Sequence, residues 1–135
     1  MAPTAIQSGI RFGDLVFSEP TLLPDTCLAG IFDQPGLYVV LVHDSNWQPR
    51  PFRPLYFGES DGVWQRATGA HENCDSWRAR GGLFEPVYRA LCPLPGWTRV
   101  QRQLAESALI SAYQPPCNDR LSRSLGALTG VARLG

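Results

Sequence analysis

Tyr38, Tyr56, Arg66, Glu106 and Asn118 supply two phenols, a guanidinium, a carboxylate and an amide. Brought together, such a set could hold a divalent cation through one carboxylate, clamp a phosphate on the guanidinium and deprotonate a water. Glu106 is the most telling member. In AESALISAYQPPCN, residues 105–118, it shares a helical face with Leu109, Ile110 and Tyr113 at i, i+3, i+4 and i+7. A carboxylate on an apolar stripe must be paired, neutral or bound to metal, because burying it bare costs several kcal/mol. An ion pair with Arg102 or Arg66 is the plain structural alternative. For Tyr38 and Tyr56 the alternative is aromatic filling of a strand core. His71 reads either as a proton shuttle or phosphate contact, or as a polar residue favourable to a helix end. His71 and Cys74 form an H-x-x-C pair, but zinc takes four converging ligands in tight pairs, and Cys92 and Cys117 are distant.

The elements that must carry these residues follow from pattern. Pro35-Gly36 is a turn, and LYVVLVH, 37–43, is a β-branched run that reads as a buried strand. Residues 44–54 hold three prolines, which predicts a loop. LYFG, 55–58, is a second short strand. Ser60 or Asp61 is placed to cap a helix over roughly 62–70. Gly81-Gly82 breaks the chain, and 86–94 is a third strand. Thr98 then caps a helix from Arg99 to about Tyr113, and Pro115 forces Gln114 out of helical geometry. Residues 1–34 read as an irregular extension packed on the domain, with one strand near Asp14–Ser18. The domain proper spans 35–119, and the tail, 120–135, carries a weak amphipathic turn at Leu121, Leu125 and Leu128. Strand, strand, helix, strand, helix implies an α+β (α/β sandwich) class: a small three-stranded antiparallel sheet flanked by helices.

At 135 residues with 44% apolar content the chain supports one core. All twelve basic residues are Arg, and the formal charge is zero. The charge is unevenly spread: residues 1–49 carry one Arg against five acids, and residues 50–102 carry eight against five. A polyanion would therefore meet the middle third, where Arg50, Arg53, Arg66, Arg78 and Arg80 are the candidate phosphate contacts, with Trp47 or Phe52 stacking on a base. The start lacks the basic flank and apolar run of a signal peptide, and no stretch reaches spanning length. The expectation is a cytoplasmic protein with no membrane contact, whose Cys27, Cys74, Cys92 and Cys117 are reduced thiols.

GLY at 36–38 and YFG at 56–58 resemble the paired signatures of the GIY-YIG nuclease superfamily. Arg66, eight residues past Gly58, and His71 after it stand where that superfamily places an arginine and often a histidine. Glu106 heads E-x-x-L-I, and Pro115-Pro116-Cys117-Asn118 resembles the trailing P-P-x-N. The resemblance covers residues 35–119 and keeps every element in order. It implies a metal-dependent endonuclease with Mg²⁺ or Mn²⁺ on Glu106, and Tyr38, Tyr56, Arg66, His71, Glu106 and Asn118 as the catalytic set. It implies nucleic acid as partner, DNA ahead of RNA. Glu59 stands where many relatives carry Lys, which removes one cation from the expected site. With no room for a targeting module, the chain is expected to cut with little specificity, to act as a homodimer or to be positioned by a partner protein. A catalytically inactive module of the same fold, binding nucleic acid or protein, is the alternative.

Overall fold

The computed structural model describes residues 9–26, 33–81 and 85–118, with the side chains of Arg80 and Gly81 outside that description. Cys27, Gly82 and the tail leucines Leu121, Leu125 and Leu128 also lie outside the described residues.

The described residues are mixed α+β, with two antiparallel sheets and three α-helices. The strands are β1 (Ile10–Phe12), β2 (Leu15–Phe17), β3 (Thr21–Leu22), β4 (Gly36–His43), β5 (Phe52–Ser60) and β6 (Val87–Pro93). The helices are α1 (Val63–Arg66), α2 (Cys74–Gly81) and α3 (Arg99–Tyr113), followed by a 3-10 turn at Pro116–Asn118. β1 and β2 form a hairpin, and the main sheet runs β3-β6-β4-β5. Among the described residues the main sheet therefore has four strands instead of the expected three. The fourth is the two-residue β3, contributed by the extension: Thr21 pairs with Arg89 and Leu22 with Tyr88.

β4 is central because both its faces are apolar; its first seven residues are all buried. Leu37, Val39 and Leu41 face a core shared with Phe12, Phe17, Phe57 and Leu109, under the hairpin and α3. Val40 and Val42 face Leu55, Cys74 and Trp77, and Tyr38 faces Val63, Ala67 and Leu91 under α1. The alternation thus splits the core into two layers, and the tyrosine belongs to the layer covered by α1 and α2.

β5 begins at Phe52, so the expected loop is shorter and its last proline is a strand residue. Pro54 is tolerated because β5 is an edge strand, paired only with β4. The register slips between Val40 and Leu41, leaving Leu55 as an extra residue.

The helix expected over 62–70 is a single turn, Val63–Arg66, and neither Ser60 nor Asp61 caps it. Its N-cap is Gly62, which makes no side-chain cap bond. The carboxylate of Asp33 accepts instead from Trp64 N at 2.8 Å and Gln65 N at 3.0 Å. α3 follows expectation at both ends. Thr98 and Gln101 form a reciprocal capping box. Gln114 adopts the left-handed conformation at φ 48° before Pro115.

Cys74, Cys92 and Cys117 are buried. No helix among the described residues is long and apolar enough to cross a membrane.

Candidate active site

The two sequence motifs meet through strand register. Tyr38 pairs with Gly58 and Val40 with Tyr56, so both tyrosines lie on one face, their ring centroids 6.1 Å apart. A Cβ on Gly58 would overlap the Cζ and Oη atoms of Tyr38. Gly36 is equally constrained, because a Cβ there would collide with the carbonyl of Cys92.

His71, buried in the turn between α1 and α2, joins this pair. Its Nε2 lies 3.0 Å from the Tyr38 hydroxyl, and its Nδ1 accepts from the backbone N–H of Asn73 at 2.9 Å. A backbone amide can only donate, so Nδ1 is the lone-pair nitrogen and Nε2 carries the proton of the neutral ring. Burial, aided by the nearby Arg66 charge, pulls His71 down to about 4 and keeps it neutral. His71 is therefore a fixed donor to Tyr38. With both ring nitrogens engaged it has no lone pair free for zinc. Among the described residues no group of three or more His, Cys, Asp and Glu side chains could hold a metal ion.

The phenols differ in environment. Tyr38 is 1% exposed, and burial first, then the neighbouring Tyr56, pushes its ionisation far up. Tyr56 is half-buried and is also raised by burial, but hydrogen bonds from the Asn73 side chain and Tyr38 favour its ionised form. The charge of Arg66 lowers both phenols and that of Glu106 raises both. Both phenols therefore feel the charges of Arg66 and Glu106.

Arg66 ends α1, and α1 is fixed from both sides. Asp33 holds its first turn, and the guanidinium of Arg89 donates to Ala67 O at 2.8 Å and Trp64 O at 3.2 Å at its end. Arg89 also lies over the Trp64 ring at 5.2 Å. Arg66 forks onto the Glu72 carboxylate, with Nη1–Oε1 at 2.7 Å and Nη2 on Oε2. It lines a cleft of about 270 Å³ with Ser60, Gly62, Gln65, Ala70 and His71.

Glu106 is half-buried on α3 and belongs to no ion pair among the described residues. Both guanidiniums that could have neutralised it are engaged elsewhere. Arg66 holds Glu72, and the buried Arg102 holds Glu59 at 2.9 Å and Asp61 at 2.5 Å. Burial and the charge of Glu59 raise Glu106 to about 7, against an opposing backbone hydrogen bond from Glu59. A carboxylate so disfavoured in its charged form is a suitable ligand for a hard cation, with the remaining oxygen positions left to water and phosphate.

Asn118 is buried, and its amide grips the edge of β5. Oδ1 accepts from Phe57 N at 2.8 Å, and Nδ2 donates to Phe57 O at 3.0 Å. It takes the place of a missing neighbouring strand beside Tyr56 and Gly58, a positioning role. Of the candidate phosphate contacts, Arg50 is bound to Glu19 at 2.7 Å and Arg53 to Asp44 at 3.2 Å. Arg78 is exposed on α2, and Arg80 falls on the same helix.

Asp33, Glu72, Asn73 and Arg89 escaped the sequence reading. Only Arg89 carried a signal there, as a cation between Val87 and Leu91 on one buried strand face. No protein-family model, curated protein or solved structure matches the chain.

Proposed function

We propose that the protein is a metal-dependent endonuclease of the GIY-YIG type, hydrolysing phosphodiester bonds of nucleic acid, with DNA ahead of RNA. One observation carries this reading: Glu106 lies on the apolar side of α3 without an ion-pair partner among the described residues, and its charge reaches both phenols of the paired motifs.

Within this reading Arg66 binds the scissile phosphate and neutralises charge developing on its oxygens. Tyr56 takes the proton of the attacking water. Tyr38 is ill suited to that task, being enclosed and held by the His71 donor. His71 orients Tyr38, and Tyr38 and Asn73 direct hydrogen bonds to Tyr56. A phenol of pKa near 10 needs a downward shift of roughly 3 units, about 4 kcal/mol, to serve as a base at pH 7. Burial and the Glu106 charge work against this shift, and the two hydrogen bonds and Arg66 work for it. Glu106 would hold the Mg²⁺ or Mn²⁺ ion, which when bound would supply Lewis-acid polarisation of the phosphate and, by offsetting the Glu106 charge, would favour tyrosinate.

The second reading, a non-catalytic module of the same fold that binds nucleic acid or a protein partner, is favoured by the ion pairing of Arg50, Arg53, Arg66, Arg99 and Arg102 with internal acids. The two separate on labelled single- and double-stranded DNA, with RNA in parallel. The nuclease yields products in Mg²⁺ or Mn²⁺ and none in EDTA; binding with no product in either metal favours the module.

A further inference from the structure

Resting on the nuclease reading, we infer that Glu72 is a built-in competitor for the phosphate, occupying the Arg66 fork until nucleic acid displaces it. The geometry is that of a phosphate contact. Nη1 and Nη2 of Arg66 each meet one oxygen of a single carboxylate, the bidentate arrangement a guanidinium also makes with two phosphate oxygens. Glu72 thus engages the donors that a scissile phosphate needs.

The surroundings fit a contact made to be exchanged. The Glu72 side chain is 60% exposed and that of Arg66 40% exposed, so the pair is solvated and weakly held. Glu72 lies in the turn that carries His71, and besides Arg66 its carboxylate accepts, among the hydrogen bonds found for the described residues, only from its own backbone N–H. The His71 ring, with Nδ1 3.8 Å away, is neutral and gives Glu72 no second ion pair. Swinging Glu72 outward therefore breaks one ion pair, frees its own exposed backbone N–H to water, and leaves the Tyr38–His71 contact in place. Arg102 provides the contrast. It is buried between Glu59 and Asp61 and also donates to Trp97 O, which marks it as structural.

The consequence is a site whose affinity for phosphate is reduced by an acid of its own chain. The test is binding of a fluorescein-labelled DNA oligonucleotide, read by anisotropy in EDTA so that nothing is cleaved. Wild type, Glu72→Gln, Arg66→Ala and the double variant are compared, with far-UV circular dichroism to verify folding. Glu72→Gln should tighten binding about two- to fivefold, the range of an exposed ion pair, and should change nothing once Arg66 is Ala. An unchanged Kd for Glu72→Gln would overturn the competitor role while leaving the nuclease reading standing. So would an equal gain in the Arg66→Ala background, which would mark simple loss of a negative charge. Absence of binding by every protein overturns the nucleic-acid reading and the competitor with it.

Discussion

Tyr38 stands opposite Gly58 in the β4–β5 ladder, and its ring fills the space that a side chain at position 58 would occupy. This packing joins the two motifs physically. The glycine of the second allows the tyrosine of the first to lie flat across β5, where its hydroxyl meets His71.

Gly58→Ala should therefore act through Tyr38. The added methyl must displace the ring, and overpacking of this kind costs about 1–3 kcal/mol. Urea denaturation should register that loss. The near-UV signal of the tyrosines should change, while the far-UV spectrum is retained.

The two phenols should separate by mutation. Tyr56→Phe removes the proposed base and should lower kcat by roughly 100- to 10,000-fold with little change in fold. Tyr38→Phe keeps the ring but removes the His71 contact and one hydrogen bond to Tyr56, so its loss should be smaller. Equal losses would dismiss the assignment of Tyr56 as base.

Glu106 should cost stability at neutral pH and above. Its folded pKa of about 7 is raised from 4.5, so the folded state binds more protons than the unfolded between those values. Wild type therefore loses stability as pH rises from 4.5 to 7 on account of this group. Glu106→Gln should be more stable than wild type at pH 8 by about 1–3 kcal/mol, and the gap should close by pH 4.5. His71, depressed to about 4, works oppositely and lowers stability as pH falls from 6.5, but it is common to both proteins and cancels in the comparison. Mg²⁺ should raise the Tm of wild type at pH 8 and leave that of Glu106→Gln unchanged.

Asn118→Ala provides the structural counterpart. It leaves the buried Phe57 N–H and C=O without their partners, which should cost about 1–3 kcal/mol. Because Asn118 positions β5 and does not hold the cation, the Tm shift with Mg²⁺ should survive in this variant.

The sequence revealed what depends on short-range periodicity. The apolar run of β4, the capping box at Thr98 and the break at Pro115 each act within a few residues of where they stand. Glu106 stands out because the apolar period of α3 assigns it a face, and the two tyrosines because each lies in a short strand signature beside a glycine, Gly36 or Gly58. The features it missed are long-range. Asp33 caps α1 from 31 residues away, where proximity in sequence favours Ser60 or Asp61. β3 has two residues, too few for any period. α2 shows hardly any apolar face and is recognisable only from Cys74 and Trp77 packing on β4 and β5. Pro54 argued against a strand because nothing local disclosed that β5 is an edge. The Arg66–Glu72 pair spans six residues across a turn, a spacing with no helical or strand signature.

The most direct measurement compares wild type with Glu106→Ala on supercoiled plasmid in Mg²⁺ or Mn²⁺, with matching far-UV spectra as the folding control. Wild type should nick the plasmid, EDTA should stop it, and Glu106→Ala should leave it intact. Equal cutting by both proteins would contradict the assignment of Glu106 to the metal and, with it, the proposed hydrolysis.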